Sequence, residues 1–194
     1  MKTLINYLNQ ISPISNTSIK KFDEIFQYKN YNSNDKLCEF GQIPDKVHYL
    51  ISGVVRIYMI TDKGTEYNRT IYSDGNILGA LGSLIKNKPS EYTIECLTDC
   101  TIIEANYNKI IEISEKYLDV AILHRKFLEN FYIHHTNINV ELITLNATER
   151  YYRLRERIPN IDNLISQKHI ASYLGITAVQ FSRLKKTFFQ KAVN

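Results

Sequence analysis

Ile170–Lys186 reads "IASYLGITAVQFSRLKK", and its spacing decides how the C-terminal part of the chain is built. Counting from Gln167 as position 1, Ala171 stands at position 5, Gly175 at position 9 and Ile176 at position 10. Ile170, Leu174, Phe181 and Leu184 fill positions 4, 8, 15 and 18. The pattern predicts two helices that cross closely at a small residue. A tight turn joins them, with glycine supplying a left-handed backbone. Ser166 and Thr177 are placed as the N-caps of the two helices. This is a helix-turn-helix pattern.

In such a motif the N-terminal part of the second helix enters the major groove of DNA. The residues expected away from the packing side of that helix are Ala178, Val179, Gln180, Ser182, Arg183 and Lys186. Gln180 and Arg183 are the expected base readers, because glutamine pairs bidentately with adenine and arginine with guanine. Thr177, Ser182, Lys186, Gln167 and Lys168 suit phosphate contacts, which position without specifying. Charge points the same way. Residues 146–194 carry nine Lys and Arg against three acids, a net +6, while the rest of the chain carries 15 against 17, a net −2. A basic segment on a slightly acidic body suggests a polyanion partner, here double-stranded DNA.

Upstream, "ATERYYRLRERI" reads as a helix capped by Asn146, with Glu149 completing a capping box and Pro159 ending it. Before it, residues 117–145 contain no Gly or Pro. Ala121, His124, Leu128, Phe131, His135, Ile138, Leu142 and Leu145 recur at alternating spacings of three and four. A strict 3.5 period is the signature of a helix pair, so this stripe is expected to form a homodimer seam. A helix buried within one domain is the alternative. Val120, Leu123 and Phe127 form a second stripe, expected to face a β domain.

Residues 31–107 hold short alternating or β-branched runs, among them "VHYLISGVVRIYMI" and "CTIIEA", separated by "TDKG", "SDGN" and "KNKPS". Such spacing predicts a β-sandwich or β-roll, with Gly53 at a bend or bulge. Residues 1–28 read as short helices, with Ile19, Phe22, Ile25 and Phe26 at helical spacing. The expected class is α+β. Residues 1–116 form a β-roll (jelly roll) sensor, 117–145 a dimerisation helix, and 146–194 a helix-turn-helix domain.

Composition excludes several other classes. The chain of 194 residues is 44% hydrophobic and 23% charged, and no apolar run approaches a membrane span, so a membrane partner is not expected. The opening "MKTLINYLNQISPIS" does not read as a signal peptide. Cys38, Cys96 and Cys100 form no CxxC pair, which suggests a reduced, cytoplasmic protein with structural cysteines. His48, His124, His134, His135 and His169 lack metal-ligand spacing, and no GxSxG, P-loop or HExxH string occurs. Neither an enzyme nor a metal site is expected.

Taken together, these stretches resemble the Crp–Fnr family of bacterial transcription regulators. "VHYLISGVVRIYMITDKGTEYNRTIY" is similar to the family's β-roll core, and "SDGNILGALGSL" to the turn that introduces its effector pocket. "ATERYYRLRERIPNI" with "ISQKHIASYLGITAVQFSRLKK" is similar to its hinge-adjacent helix and DNA-binding motif, and the latter wording resembles that of Bacteroidetes members. The resemblance implies a cyclic-nucleotide-binding-like β-roll, a dimerising helix and a C-terminal winged helix. It also implies a homodimer on a palindromic operator and a contact with RNA polymerase.

The resemblance places an effector pocket at Arg69, Gly79, Ala80, Leu81, Ser90, Glu91, His135 and Thr136. Members that bind cyclic nucleotides carry a glutamate after the pocket glycine and an arginine for the phosphate. Here the turn is Gly79-Ala80-Leu81-Gly82, and Ser90 and Glu91 stand at the arginine and hydroxyl positions. A carboxylate beside a phosphate is repulsive, so cyclic AMP is not expected to bind tightly; a register slip would bring Lys86 or Lys88 closer. The link from Pro159 to Ser166 is short for the usual β-hairpin, and the wing is expected to be reduced or absent. The alternative is a β-roll ligand-sensing or protein-interaction module whose DNA-binding motif is inactive.

Overall fold

In the computed structural model, which describes residues 2–191, two antiparallel four-stranded sheets stack as a β-roll. The strands are β1 (Gln27–Tyr31), β2 (Lys36–Cys38), β3 (Lys46–Ser52), β4 (Val54–Ile60), β5 (Glu66–Ser73), β6 (Asn76–Leu78), β7 (Thr93–Cys96) and β8 (Cys100–Asn106). One sheet runs β1-β8-β3-β6 and the other β2-β7-β4-β5. Alternation sends Leu50 and Ile102 of the first sheet against Val55, Ile57 and Ile94 of the second. Leu50, Ile94 and Ile102 are wholly buried, each stabilising the roll by about 1.5–3 kcal/mol.

Helices cover both outer faces. On the first sheet, Tyr49 and Ile103 pack against α1 (Lys2–Ile11), α2 (Asn16–Ile25), α4 (Tyr107–Lys116) and the start of α5 (Leu118–Thr144). Val120 and Leu123 are buried there, on the face the sequence assigns to the β domain. A short helix, α3 (Leu81–Lys86), follows β6. On the second sheet, Val54 and Ile71 join a core with α6 (Ala147–Arg157), α7 (Ile161–Leu164), α8 (Gln167–Leu174) and α9 (Ala178–Lys191).

Gly53 breaks the chain between β3 and β4 at φ +113, where β3 slips register against β8. A Cβ at this position would lie 2.5 Å from Cys100 Sγ and 2.7 Å from the Asp99 carbonyl oxygen, so no other residue fits without displacement. All three cysteines are buried thiols.

The heptad stripe on α5, expected as a dimer seam, turns in part toward the chain's own body. Ile138 is 7% exposed. Leu128 and Phe131 pack on Leu81, Leu84 and Tyr107. Ala121, His124, His135 and Leu145 are half-buried, and only Leu142 of the set is exposed. The other exposed large apolar residues of α5 lie outside the stripe: Leu118, Tyr132, Ile133, Val140 and Ile143, the last 85% exposed. The cause is geometric. A straight helix drifts only about 20° per heptad from a 3.5 repeat, so within 27 residues the period marks an apolar stripe without saying what covers it.

Candidate DNA-binding face and effector cavity

The helix-turn-helix is closed around the residues its spacing requires. Ile170, Ala171, Leu174 and Phe181 are buried, and Ile176 and Leu184 pack against them. Gly175 takes the left-handed conformation at φ 68, ψ 29 and ends α8. Tyr151 from α6 packs edge-on to Phe181 at 5.2 Å and donates its hydroxyl to Asp162 at 2.7 Å. Burial and that carboxylate push the tyrosine hydroxyl well above its ordinary pKa. Asp162 also receives Lys185 Nζ at 3.1 Å, which ties α7 to α9. A short helix fills the link before α8. Among the described residues no strand follows β8, and the stretch after α9, where the wing is expected to be reduced or absent, is residues 192–194, outside the described residues.

Of the two expected caps, Thr177 caps α9 and Ser166 does not cap α8 with its side chain. The Gln180 N–H donates to Thr177 Oγ1 at 3.2 Å, and the Thr177 N–H donates to Gln180 Oε1 at 2.8 Å. This reciprocal pair is a capping box. It uses the Gln180 carbonyl oxygen that an adenine contact would need. Ser166 has the extended backbone of a cap, but its hydroxyl makes no capping bond; only its carbonyl accepts, from the His169 N–H. At the other hinge the box is complete: Asn146 Oδ1 accepts from Glu149 N–H at 3.1 Å and Glu149 Oε2 from Asn146 N–H at 2.8 Å.

Gln167, Lys168, Thr177, Ala178, Gln180, Ser182, Arg183 and Lys186 are all exposed. They do not share one open face. Lys168, Thr177, Ala178 and Gln180 line a groove of about 360 Å³ whose opposite wall is Thr65, Glu66 and Tyr67 of the roll. Gln167, Ser182, Arg183 and Lys186 lie outside that groove.

A second cavity, of about 440 Å³, opens between β5, the β6–α3 turn and α5. Arg69, Gly79, Leu81, Glu91 and His135 of the expected set line it. Three expected members do not. Ala80 points into the core of the roll. Ser90 is buried and donates its hydroxyl to the Tyr92 carbonyl at 2.7 Å. Thr136 is exposed and bonds back to the Tyr132 carbonyl within α5. The sequence reading missed an apolar floor that includes Ile57, Tyr72, Leu78 and Phe131, whereas Lys86 and Lys88 do reach the rim.

The guanidinium of Arg69 sits 5.4 Å over the Tyr92 ring. The His135 ring packs tilted against Phe131 at 4.2 Å, and its Nε2 is buried without a hydrogen-bond partner among the described residues. Burial, then Arg69 and His134, push its pKa down to about 4, so it is neutral at physiological pH.

Residues 28–117 match the family model of the cyclic nucleotide-binding domain. Most of the chain superposes on solved structures of one architecture. FixK2 from Bradyrhizobium japonicum superposes with a TM-score of 0.71 at 14% identity, over 87% of this chain and 86% of that one. The Xanthomonas campestris regulator CLP, described as c-di-GMP responsive, superposes with 0.65 at 16%, over 92% and 93%. A CooA mutant from Carboxydothermus hydrogenoformans gives 0.64 at 19%, over 93% and 82%. The chain has the Crp–Fnr fold. No curated protein sequence matches it. Within the Crp–Fnr fold, the 440 Å³ cavity lies between the matched domain and the long helix α5. No helix among the described residues is long and apolar enough to cross a membrane.

Proposed function

We propose that this chain is a dimeric transcription regulator that reads a palindromic operator in double-stranded DNA through α9. Residues 1–116 act as sensor, 117–145 as dimerisation helix and 146–194 as reader, and no catalysis is assigned. The observation that carries the reading is α9 itself: its packing side is closed, while Arg183, Ser182 and Lys186 stand free on the outer side of a basic domain. Arg183 is the first base reader. Gln180 joins it once its capping bond to Thr177 opens. The partner subunit packs on the exposed residues Leu118, Tyr132, Ile133, Val140 and Ile143. RNA polymerase follows as a partner from the family likeness.

The cavity takes an effector other than cyclic AMP. Its turn carries no carboxylate for a ribose, and Glu91 lines it. Arg69, Lys86 and Lys88 on the rim favour an anion. Titration with cyclic AMP is expected to show no binding in the micromolar range, and micromolar affinity overturns this part.

Selecting bound duplexes from a random pool, at near-physiological salt, tests the main reading. The expected result is a palindrome with half-sites about one helical turn apart, bound with an affinity that falls steeply as salt rises. Recovery of no motif, with salt-independent retention, overturns it.

A further inference from the structure

The groove described above places part of the reading face against the roll, and the contacts there are specific. The Asn68 N–H donates to Ser172 Oγ at 3.0 Å, and its side-chain amide donates to the His169 carbonyl at 2.8 Å. The Ser172 hydroxyl donates in turn to the Glu66 carbonyl at 3.2 Å. Asn68 is buried and is itself held by Arg56 Nη1 at 3.2 Å. Strand β5 therefore grips α8 with three hydrogen bonds, one of them from the braced Asn68 side chain and two through the Ser172 hydroxyl, while Val54 and Ile71 add an apolar contact to the same domain. With α8 in this grip, Thr177 and Gln180 at the start of α9 face Thr65–Tyr67 across the 360 Å³ groove, where the roll occupies the side from which a duplex would approach them.

Strand β5 also reaches the effector cavity, through a bulge. Ile57 pairs with Thr70 and the next residue, Tyr58, with Asn68, so Arg69 is the unpaired extra residue. A bulge re-aims side chains. Asn68 faces the helix-turn-helix, and its neighbour Arg69 faces the cavity.

We propose that β5 is an autoinhibitory clasp: it holds the helix-turn-helix where α9 cannot enter DNA, and the bulge at Arg69 is the point at which an occupied cavity loosens it. The inference rests on the reading of α9 as the DNA-binding helix. Arg69 drawn toward an anion moves the peptide it shares with Asn68, and the hydrogen bonds to α8 are one residue away. Coupling over that distance needs no rearrangement of α5.

The test uses the full chain, without added effector, as wild type, Asn68→Ala and Ser172→Ala. Ser172→Ala removes one hydroxyl and keeps the support of Arg56, so it remains informative if Asn68→Ala fails to fold. DNA affinity is measured on a selected or random duplex at low salt, together with amide hydrogen exchange. Asn68→Ala, which loses one bond of the grip, is expected to bind DNA about fivefold more tightly, the factor one hydrogen bond is worth in a docked-to-open equilibrium, and Ser172→Ala, which loses two, at least as much. Exchange at Asn68 and along α8 is expected to speed up in parallel. Faster exchange with unchanged or weaker DNA binding overturns the clasp, and so does unchanged exchange. If no form of the chain binds any duplex even at 50 mM salt while exchange rises, it is the DNA-binding reading that fails, and the clasp falls with it.

Discussion

Arg56 and Glu95 form a buried pair on the outer face of the second sheet: Nε and Nη2 of the arginine both donate to Oε2 of the glutamate, at 3.0 and 2.7 Å. Arg56 is 5% exposed, and it also reaches Glu66 at 2.7 Å and stacks 3.8 Å over Tyr58. The pair joins β4 and β7, with β4 next to the strand that grips the helix-turn-helix, and Arg56 also holds Asn68, so its integrity bears on that contact as well as on the roll.

Glu95→Gln is expected to destabilise the chain by about 3 kcal/mol, since it leaves much of a buried cation uncompensated. Denaturant unfolding followed by circular dichroism checks this. A loss below about 0.5 kcal/mol would mean that Glu66 alone neutralises the arginine.

Gly53→Ala is expected to cost about 2–4 kcal/mol, by combining a strained positive φ with overpacking against Cys100. A thermal melt of the variant decides it, and an unchanged midpoint would place Cys100 elsewhere.

Asn146→Ala removes both side-chain acceptor bonds of the capping box at the α5–α6 junction. The expected cost is about 1 kcal/mol, with faster hydrogen exchange confined to the first turn of α6. Uniformly faster exchange would argue against a local cap.

Stability is expected to fall as the medium is acidified from pH 6.5 toward 4. Burial, only partly opposed by Glu104, pushes the pKa of His48 down to about 4, and that of His135 falls to about 4 as well. Both groups bind protons in the unfolded chain before they do so in the folded one. The stability present above pH 6.5 is therefore lost through this window, at up to about 1.4 kcal/mol per pH unit for each histidine. Glu104 adds little there: burial opposes its ionisation, but hydrogen bonds from Lys46 and Tyr31 outweigh it and hold the carboxyl below its ordinary value. Melting curves at pH 7 and 4.5 measure the slope, and His135→Gln is expected to flatten it.

Arg183→Ala is expected to remove preference at one base of each half-site, at about 1–3 kcal/mol, whereas Lys186→Ala weakens all sequences alike and reduces the salt slope. Duplex selection with each variant separates the two roles. Unchanged preference in the arginine variant would move base reading to another residue.

The helix-turn-helix was legible in the sequence because each of its demands is local. A small residue at Ala171, a left-handed glycine at Gly175 and an apolar set at Ile170, Leu174 and Phe181 state their own reasons. The β-roll was legible from alternation in the same way. For the stripe on α5 the sequence marks a face and not its neighbour, because a period carries no information about what covers it. Ala80 and Ser90 were misplaced because in a turn a shift of one residue carries a side chain from cavity to core. The grip of β5 on α8 had no signal at all: Asn68 and Ser172 are ordinary polar residues 104 positions apart. Nothing but the folded arrangement brings them together.

The bulge has a consequence for how such a chain can change over time. Arg69 is extra to the ladder, since Asn68 and Thr70 already pair with consecutive residues of β4. Losing that single residue would heal the strand into a regular one and keep every neighbour on its present side. The cavity would lose its arginine while the roll and the docked domain stayed intact. One codon thus separates responsiveness from architecture, and a lineage could fall deaf to its effector, or regain hearing, without passing through an unfolded intermediate.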